Sequence, residues 1–106
     1  MAAFEDVDLQ TFDQQGLFDE DTPIHAACFS GDLYDVKLMI KYGASVAVKG
    51  DIGNTPLHYA VMNGHVGIVE LLISFGADPN SENDYGDKPK DMLGKNAETI
   101  RPLLGN

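Results

Sequence analysis

Shifted by 33 residues, the sequence superposes on itself. Thr22-Pro23-Ile24-His25 falls on Thr55-Pro56-Leu57-His58, Gly31 on Gly64, Val36 on Val69, Leu38-Met39-Ile40 on Leu71-Leu72-Ile73, and Gly43-Ala44 on Gly76-Ala77. A second shift of the same length carries Gly53 onto Gly86 and Pro56 onto Pro89, so the period holds for three copies, the last one worn. A fixed period of this size means one supersecondary unit stacked on copies of itself, each too small to bury its apolar face alone. The 106 residues leave room for one such stack and for no second domain of ordinary size.

Each unit reads as two short helices. Thr at the N-cap satisfies an orphan N–H, and Pro at the first helical position has no N–H to leave orphaned. The spacing predicts a first helix from about Pro23 to Ser30 and from Pro56 to Asn63, a reversal at Gly31 and Gly64, and a second helix running to Tyr42 and to Phe75. In the second copy Ile68, Leu71, Leu72 and Phe75 recur at the spacing of one buried helical face. Gly43 and Gly76 stop these helices. The stretches 44–54 and 77–87 then link unit to unit, with turn-forming tips at Asp51-Ile52-Gly53-Asn54 and Asp84-Tyr85-Gly86-Asp87.

The fullest copy reads Asn54-Thr55-Pro56-Leu57-His58-Tyr59-Ala60, Asn63-Gly64-His65, Ile68-Val69-Glu70-Leu71-Leu72 and Gly76-Ala77-Asp78-Pro79-Asn80. These motifs resemble those of the ankyrin repeat, and the likeness extends over residues 21–104. It implies an all-α fold: a short ankyrin-type α-solenoid of paired antiparallel helices, with hairpin fingers along one edge and the first helices lining a concave face. Repeats would then occupy about 21–53, 54–86 and 87–106, after an acidic N-terminal segment, 1–20. Three departures stand out. Lys88-Pro89-Lys90-Asp91 replaces Thr-Pro-Leu-His in the third copy and suits a terminal repeat with a wet outer face. Ile100-Arg101-Pro102-Leu103-Leu104 matches Ile68-Val69-Glu70-Leu71-Leu72, and Pro102 predicts a helix that starts late or is short. Gly50 stands where the family usually has Asp, which predicts a turn lacking one side-chain hydrogen bond and therefore looser.

Seventeen acidic residues against seven basic ones give a net charge of −10. Phosphate backbones and anionic lipid surfaces are repelled by such a chain, which sets nucleic acid and membranes aside as partners. Apolar runs such as Leu71-Leu72-Ile73 fall far short of the roughly 18 residues a membrane span needs. The opening Met1-Ala2-Ala3-Phe4-Glu5-Asp6 has neither the basic nor the apolar region of a secretory signal. A single cysteine, Cys28, permits no internal disulfide, so a reducing cytoplasmic or also nuclear location is expected. Residues 1–21 hold seven acids and no base. Their apolar side chains, Phe4, Val7, Leu9, Phe12, Leu17 and Phe18, would suit a cap on the first repeat, while their charge would equally suit a free arm; the sequence leaves both open.

No residue cluster calls for a cofactor or metal. His25 and His58 occupy equivalent positions, and the resemblance implies that each imidazole bonds to backbone and to the Thr hydroxyl of its own motif. Zinc would need three or four converging ligands. The oxygen-rich stretch from Asp78 fails as a calcium loop, with Asn83 in place of the sixth-position Gly and Pro89 in place of the twelfth-position Glu. Cys28 aligns with Val61, an inward position with no cation nearby in sequence to activate the thiol. What remains is a set of apolar side chains expected to face outward: Phe29 and Met62 late in the first helices, Ile52 and Tyr85 at the finger tips, rimmed by Asp51, Asn54, Asp84 and Asp87. An apolar centre with a polar rim is the composition of a protein-binding site. The expected function is a non-enzymatic, monomeric protein–protein interaction module, a scaffold or inhibitor, whose partner is a protein with a basic patch. A self-associating structural domain is the alternative, and a metal- or thiol-dependent regulator using His25, His58 and Cys28 is a third reading with no converging ligand set behind it.

Overall fold

The Thr-Pro-x-His motif starts each of the first two repeats by satisfying its own helix N-terminus. The backbone N–H groups of Thr22 and Thr55 donate to Nδ1 of His25 and His58, each at 3.0 Å, and the Thr55 hydroxyl accepts the His58 N–H at 3.4 Å. The computed structural model describes residues 21–105. Among these, the helices α1 (Pro23–Ser30), α2 (Leu33–Lys41), α3 (Pro56–Met62), α4 (Val66–Ser74) and α5 (Ala97–Leu103) follow in order, with 3-10 turns at Asp51–Gly53 and Pro89–Met92. The bounds of α1 and α3 and the ends of α2 and α4 fall within about a residue of the sequence expectation. The expected cap or acidic arm, residues 1–20, lies outside the described residues.

Like packs on like. Helix α1 lies against α3, α2 against α4, and α4 against α5, while within each of the first two repeats the helices pair α1 with α2 and α3 with α4. This is the expected all-α solenoid of paired helices. Both second helices end in the motif that a left-handed glycine permits: Gly43 has φ 103° and Gly76 φ 95°. Around them the Ala44 N–H bonds the Met39 carbonyl at 2.9 Å, and the Ala77 N–H bonds that of Leu72 at 3.0 Å. Ala44 and Ala77 are buried, closing the helix ends with apolar contact.

Ile24, Cys28, Val36, Leu57, Val61, Ile68, Val69, Leu72 and Ile100 form the fully buried centre. The inward face of α4 is narrower than the sequence spacing predicts. Ile68, Val69 and Leu72 point in, Leu71 is half-buried, and Phe75, lying one residue past the helix end, is exposed.

The third repeat is reduced. Its first helix shrinks to the 3-10 turn Pro89–Met92, where the Asp91 carboxylate accepts the Lys88 N–H at 2.9 Å. Helix α5 is short rather than late: it begins three residues before Ile100 and ends one residue after Pro102, just ahead of Gly105, which takes a left-handed φ of 84°.

Two predictions follow from this packing. Leu57→Ala and Leu72→Ala should each destabilise the domain by about 2–5 kcal/mol, and Leu71→Ala by distinctly less, read as urea midpoints. The second concerns pH. Burial holds the His58 imidazole below its ordinary value of 6.5, opposed in part by its bond to the Asp87 carbonyl. The unfolded chain therefore takes up this proton first as pH falls. The contribution of neutral His58 is complete above about pH 6.5 and is lost as pH drops through the folded-state value, by at most about 1.4 kcal/mol per pH unit. Urea midpoints between pH 7.5 and pH 5.5 should fall less steeply for His58→Gln than for the wild type.

Candidate partner-binding face

The two fingers share one backbone turn. In the first, the Gly50 N–H donates to the Asn54 carbonyl at 2.8 Å and the Gly53 N–H to the Gly50 carbonyl at 2.9 Å; in the second, Asn83 N–H donates to the Asp87 carbonyl at 2.9 Å and Gly86 N–H to the Asn83 carbonyl at 2.9 Å. The second turn is braced from inside. Asn83 Oδ1 accepts the N–H groups of Tyr85 and Asp87 at 2.9 and 3.0 Å, and its Nδ2 donates to Asn54 Oδ1 at 3.0 Å.

Gly50 has no side chain to do the same, yet its turn is not left loose. The Asp21 carboxylate enters from the start of the first repeat and accepts the Asp51 N–H at 2.8 Å. A Cβ at position 50 would run into an Asp21 carboxylate oxygen and come within 2.8 Å of the His25 ring. Glycine is thus what admits the neighbouring carboxylate, and the expected loss of a hydrogen bond is made good by a residue 30 positions away.

Asp21 also ties the finger to the helices. The Tyr59 hydroxyl donates to it, 3.0 Å from both carboxylate oxygens. Tyr59 is buried, and desolvation, together with the adjoining Asp21 carboxylate, pushes its phenol up to about 12. Its ring meets His25 edge-on at 5.7 Å and Phe29 edge-on at 5.9 Å. Phe29, Tyr59, Asp21 and Asp51 thereby form a continuous line from the end of α1 to the first finger. The carbonyl of Phe29 is held in turn by Asn63 Nδ2 at 3.1 Å and His65 Nε2 at 3.0 Å.

Three of the apolar residues expected to face outward do so: Phe29 is 54% exposed, Ile52 39% and Tyr85 75%. The fingers touch at Ile52, whose carbonyl accepts the Asp84 N–H at 2.8 Å. Met62 does not share this exposure; it is half-buried and packs against the core, where a flexible thioether lies down on apolar surface. Asn54, expected on the rim, is buried at 6% exposure because its amide oxygen receives the Asn83 bond. Asp84 is exposed, while Asp51 and Asp87 are half-buried, Asp87 lending its carbonyl to His58 Nε2 at 2.9 Å.

Sequence reasoning missed Tyr59, Asp21 and Asn83. A signal existed for two of them. Tyr59 aligns with Ala26, a size mismatch at one repeat position, and Asp21, Asn54 and Asp87 fall on one another under the 33-residue shift. The Cys28 thiol is fully buried and pushed up to about 12 by desolvation, which leaves it an inert apolar filler. Among the described residues no group of three His, Cys, Asp or Glu side chains could hold a metal ion, and no helix is long and apolar enough to cross a membrane.

A family profile described as ankyrin repeats in three copies matches residues 3–83. The chain belongs to the ankyrin-repeat family, whose repeats are in general protein–protein interaction modules and typically not catalytic. The match takes in most of the segment 1–20 and stops short of the reduced third copy. No curated protein matches the chain.

The Asp21 insertion carries a prediction for a double-mutant cycle. Asp21→Ala should destabilise by about 1–3 kcal/mol, since it removes the acceptor of the Tyr59 O–H and of the Asp51 N–H. Gly50→Ala should also destabilise, and the double variant should lose less than the sum, because removing the carboxylate removes part of the clash. Strict additivity of the urea midpoints would mean that the two residues do not meet.

Proposed function

We propose that this chain is a non-enzymatic protein–protein interaction module, a scaffold or inhibitor that occupies a partner's surface with Phe29, Ile52 and Tyr85. One observation carries the reading. These apolar side chains stay exposed on a backbone that is otherwise tied down, by Asp21 and Asn83 in the fingers and by Asn63 and His65 at the end of α1. A surface ordered before the partner arrives loses little conformational freedom on binding. The acidic groups at its edge, Asp51, Asp84 and Asp87, suit a protein partner with a basic patch and act on encounter more than on the bound state. The chain acts as a monomer in the cytoplasm or nucleus, without cofactor, and takes neither nucleic acid nor membrane as its ligand.

The test compares the wild type with Phe29→Ser/Tyr85→Ser. Both positions are exposed, so folding should change by no more than about 0.5 kcal/mol per surface substitution, plus about 0.5–1.5 kcal/mol for the lost Phe29–Tyr59 ring pair. Proteins captured from a lysate by the wild type, identified by mass spectrometry and then titrated singly, should bind the double variant about 30-fold more weakly or worse. Asp84→Asn/Asp87→Asn should instead slow association and flatten its salt dependence. Undiminished affinity of the folded Phe29→Ser/Tyr85→Ser variant would sink the reading.

A further inference from the structure

Ile52 is a β-branched residue in a left-handed backbone conformation, φ 59° and ψ 20°. That region accommodates Gly and Asn and crowds a branched Cβ against its own backbone. The repeat does not demand it. Tyr85 holds the equivalent tip of the second finger and is not among the residues at positive φ. The carbonyl of Ile52 accepts the Asp84 N–H, but that is a backbone bond any residue could make. Its side chain is exposed and is not among the partly buried apolar groups packed on the core. The isoleucyl group therefore strains the turn without joining the apolar groups packed on the core.

We infer that Ile52 is a strained anchor, held out between Asp51 and Asp84 for insertion into an aliphatic socket with a cationic rim on a protein partner; this rests on the interaction-module reading above. Strain at an exposed side chain that adds nothing to the core points to a contact made outside the fold. A branched aliphatic side chain fits an aliphatic socket rather than a polar one. The neighbouring carboxylates, Asp84 exposed and Asp51 half-buried, ask for Lys or Arg around its mouth.

The test separates strain from contact. Ile52→Asn and Ile52→Gly should raise the melting temperature by about 4 °C or more, because either residue accepts the left-handed turn, whereas Ile52→Val, still β-branched, should leave it nearly unchanged. For the proteins captured from a whole-cell lysate by the wild type, Ile52→Asn should weaken binding by about 30-fold or more and Ile52→Val by less than about 5-fold. A diazirine amino acid at position 52 should crosslink to apolar residues that have Lys or Arg beside them in the partner. A melting temperature that stays or falls in both Ile52→Asn and Ile52→Gly overturns the strain. If Phe29→Ser/Tyr85→Ser loses the partner while Ile52→Asn keeps it, the anchor is wrong and the module reading stands; if neither loses it, both fail. Crosslinks to acidic or wholly polar sites overturn the chemistry assigned to the partner.

Discussion

An imidazole that bonds at both ends holds one layer of this molecule to the next. In the first repeat, His25 Nδ1 accepts the Thr22 N–H, so the ring's proton sits on Nε2, which lies 3.0 Å from the carbonyls of both Val48 and Asn54. His58 repeats the arrangement with Thr55 and the Asp87 carbonyl. The atom that starts a first helix is thus rigidly joined to the atom that holds the base of the next finger. Both rings are fully buried, and a bond made there resists competition from water. Only the neutral form can act in this way, since a second proton on Nδ1 would face the Thr N–H that it now accepts.

The same chemistry explains the third copy. Asp91 stands at the position of His25 and His58, and its carboxylate accepts the Lys88 N–H just as Nδ1 accepts the Thr N–H. A carboxylate can do no more, because it has no proton to donate to a further layer. The charged motif is therefore an acceptor-only version of the imidazole, suited to a repeat with an exposed outer side, and Lys90 and Asp91 are indeed exposed. The loss of a regular first helix in this copy goes with the loss of the tie that the helix would carry.

How much of this was legible depends on whether a feature belongs to one copy or to two. The period and the Thr, Pro and Gly signals gave helix ends correctly because each is settled within a few residues: a cap, a missing N–H, a left-handed glycine. The exposure of Phe29, Ile52 and Tyr85 followed from their positions at a helix end and at two tips. Gly50, Asn54 and Met62 were misread because their surroundings come from elsewhere in the chain. Asp21 reaches Asp51 across 30 positions, and Asn83 reaches Asn54 across 29. Self-alignment compares only equivalent positions and so cannot see the carboxylate of Asp21 taking the place of a side chain that Gly50 lacks. The left-handed turn at Ile52 was illegible for the opposite reason, since residue type argues against it.

The ties that fix the fingers also join the exposed residues in one chain of contacts. Phe29 rests its ring on Tyr59, whose hydroxyl shares Asp21 with the Asp51 N–H one residue before Ile52. Ile52 then receives the Asp84 N–H, one residue before Tyr85, while Asn83 joins the second finger to Asn54 beneath. Phe29 is thus connected through a buried phenol and a carboxylate to the first finger, and from there across a backbone bond to the second. Groups connected by shared hydrogen-bond partners do not contribute independently. Changes at Phe29 and Ile52 should therefore couple even if the two never touch, and that coupling should vanish when Asp21 no longer links Tyr59 to the finger.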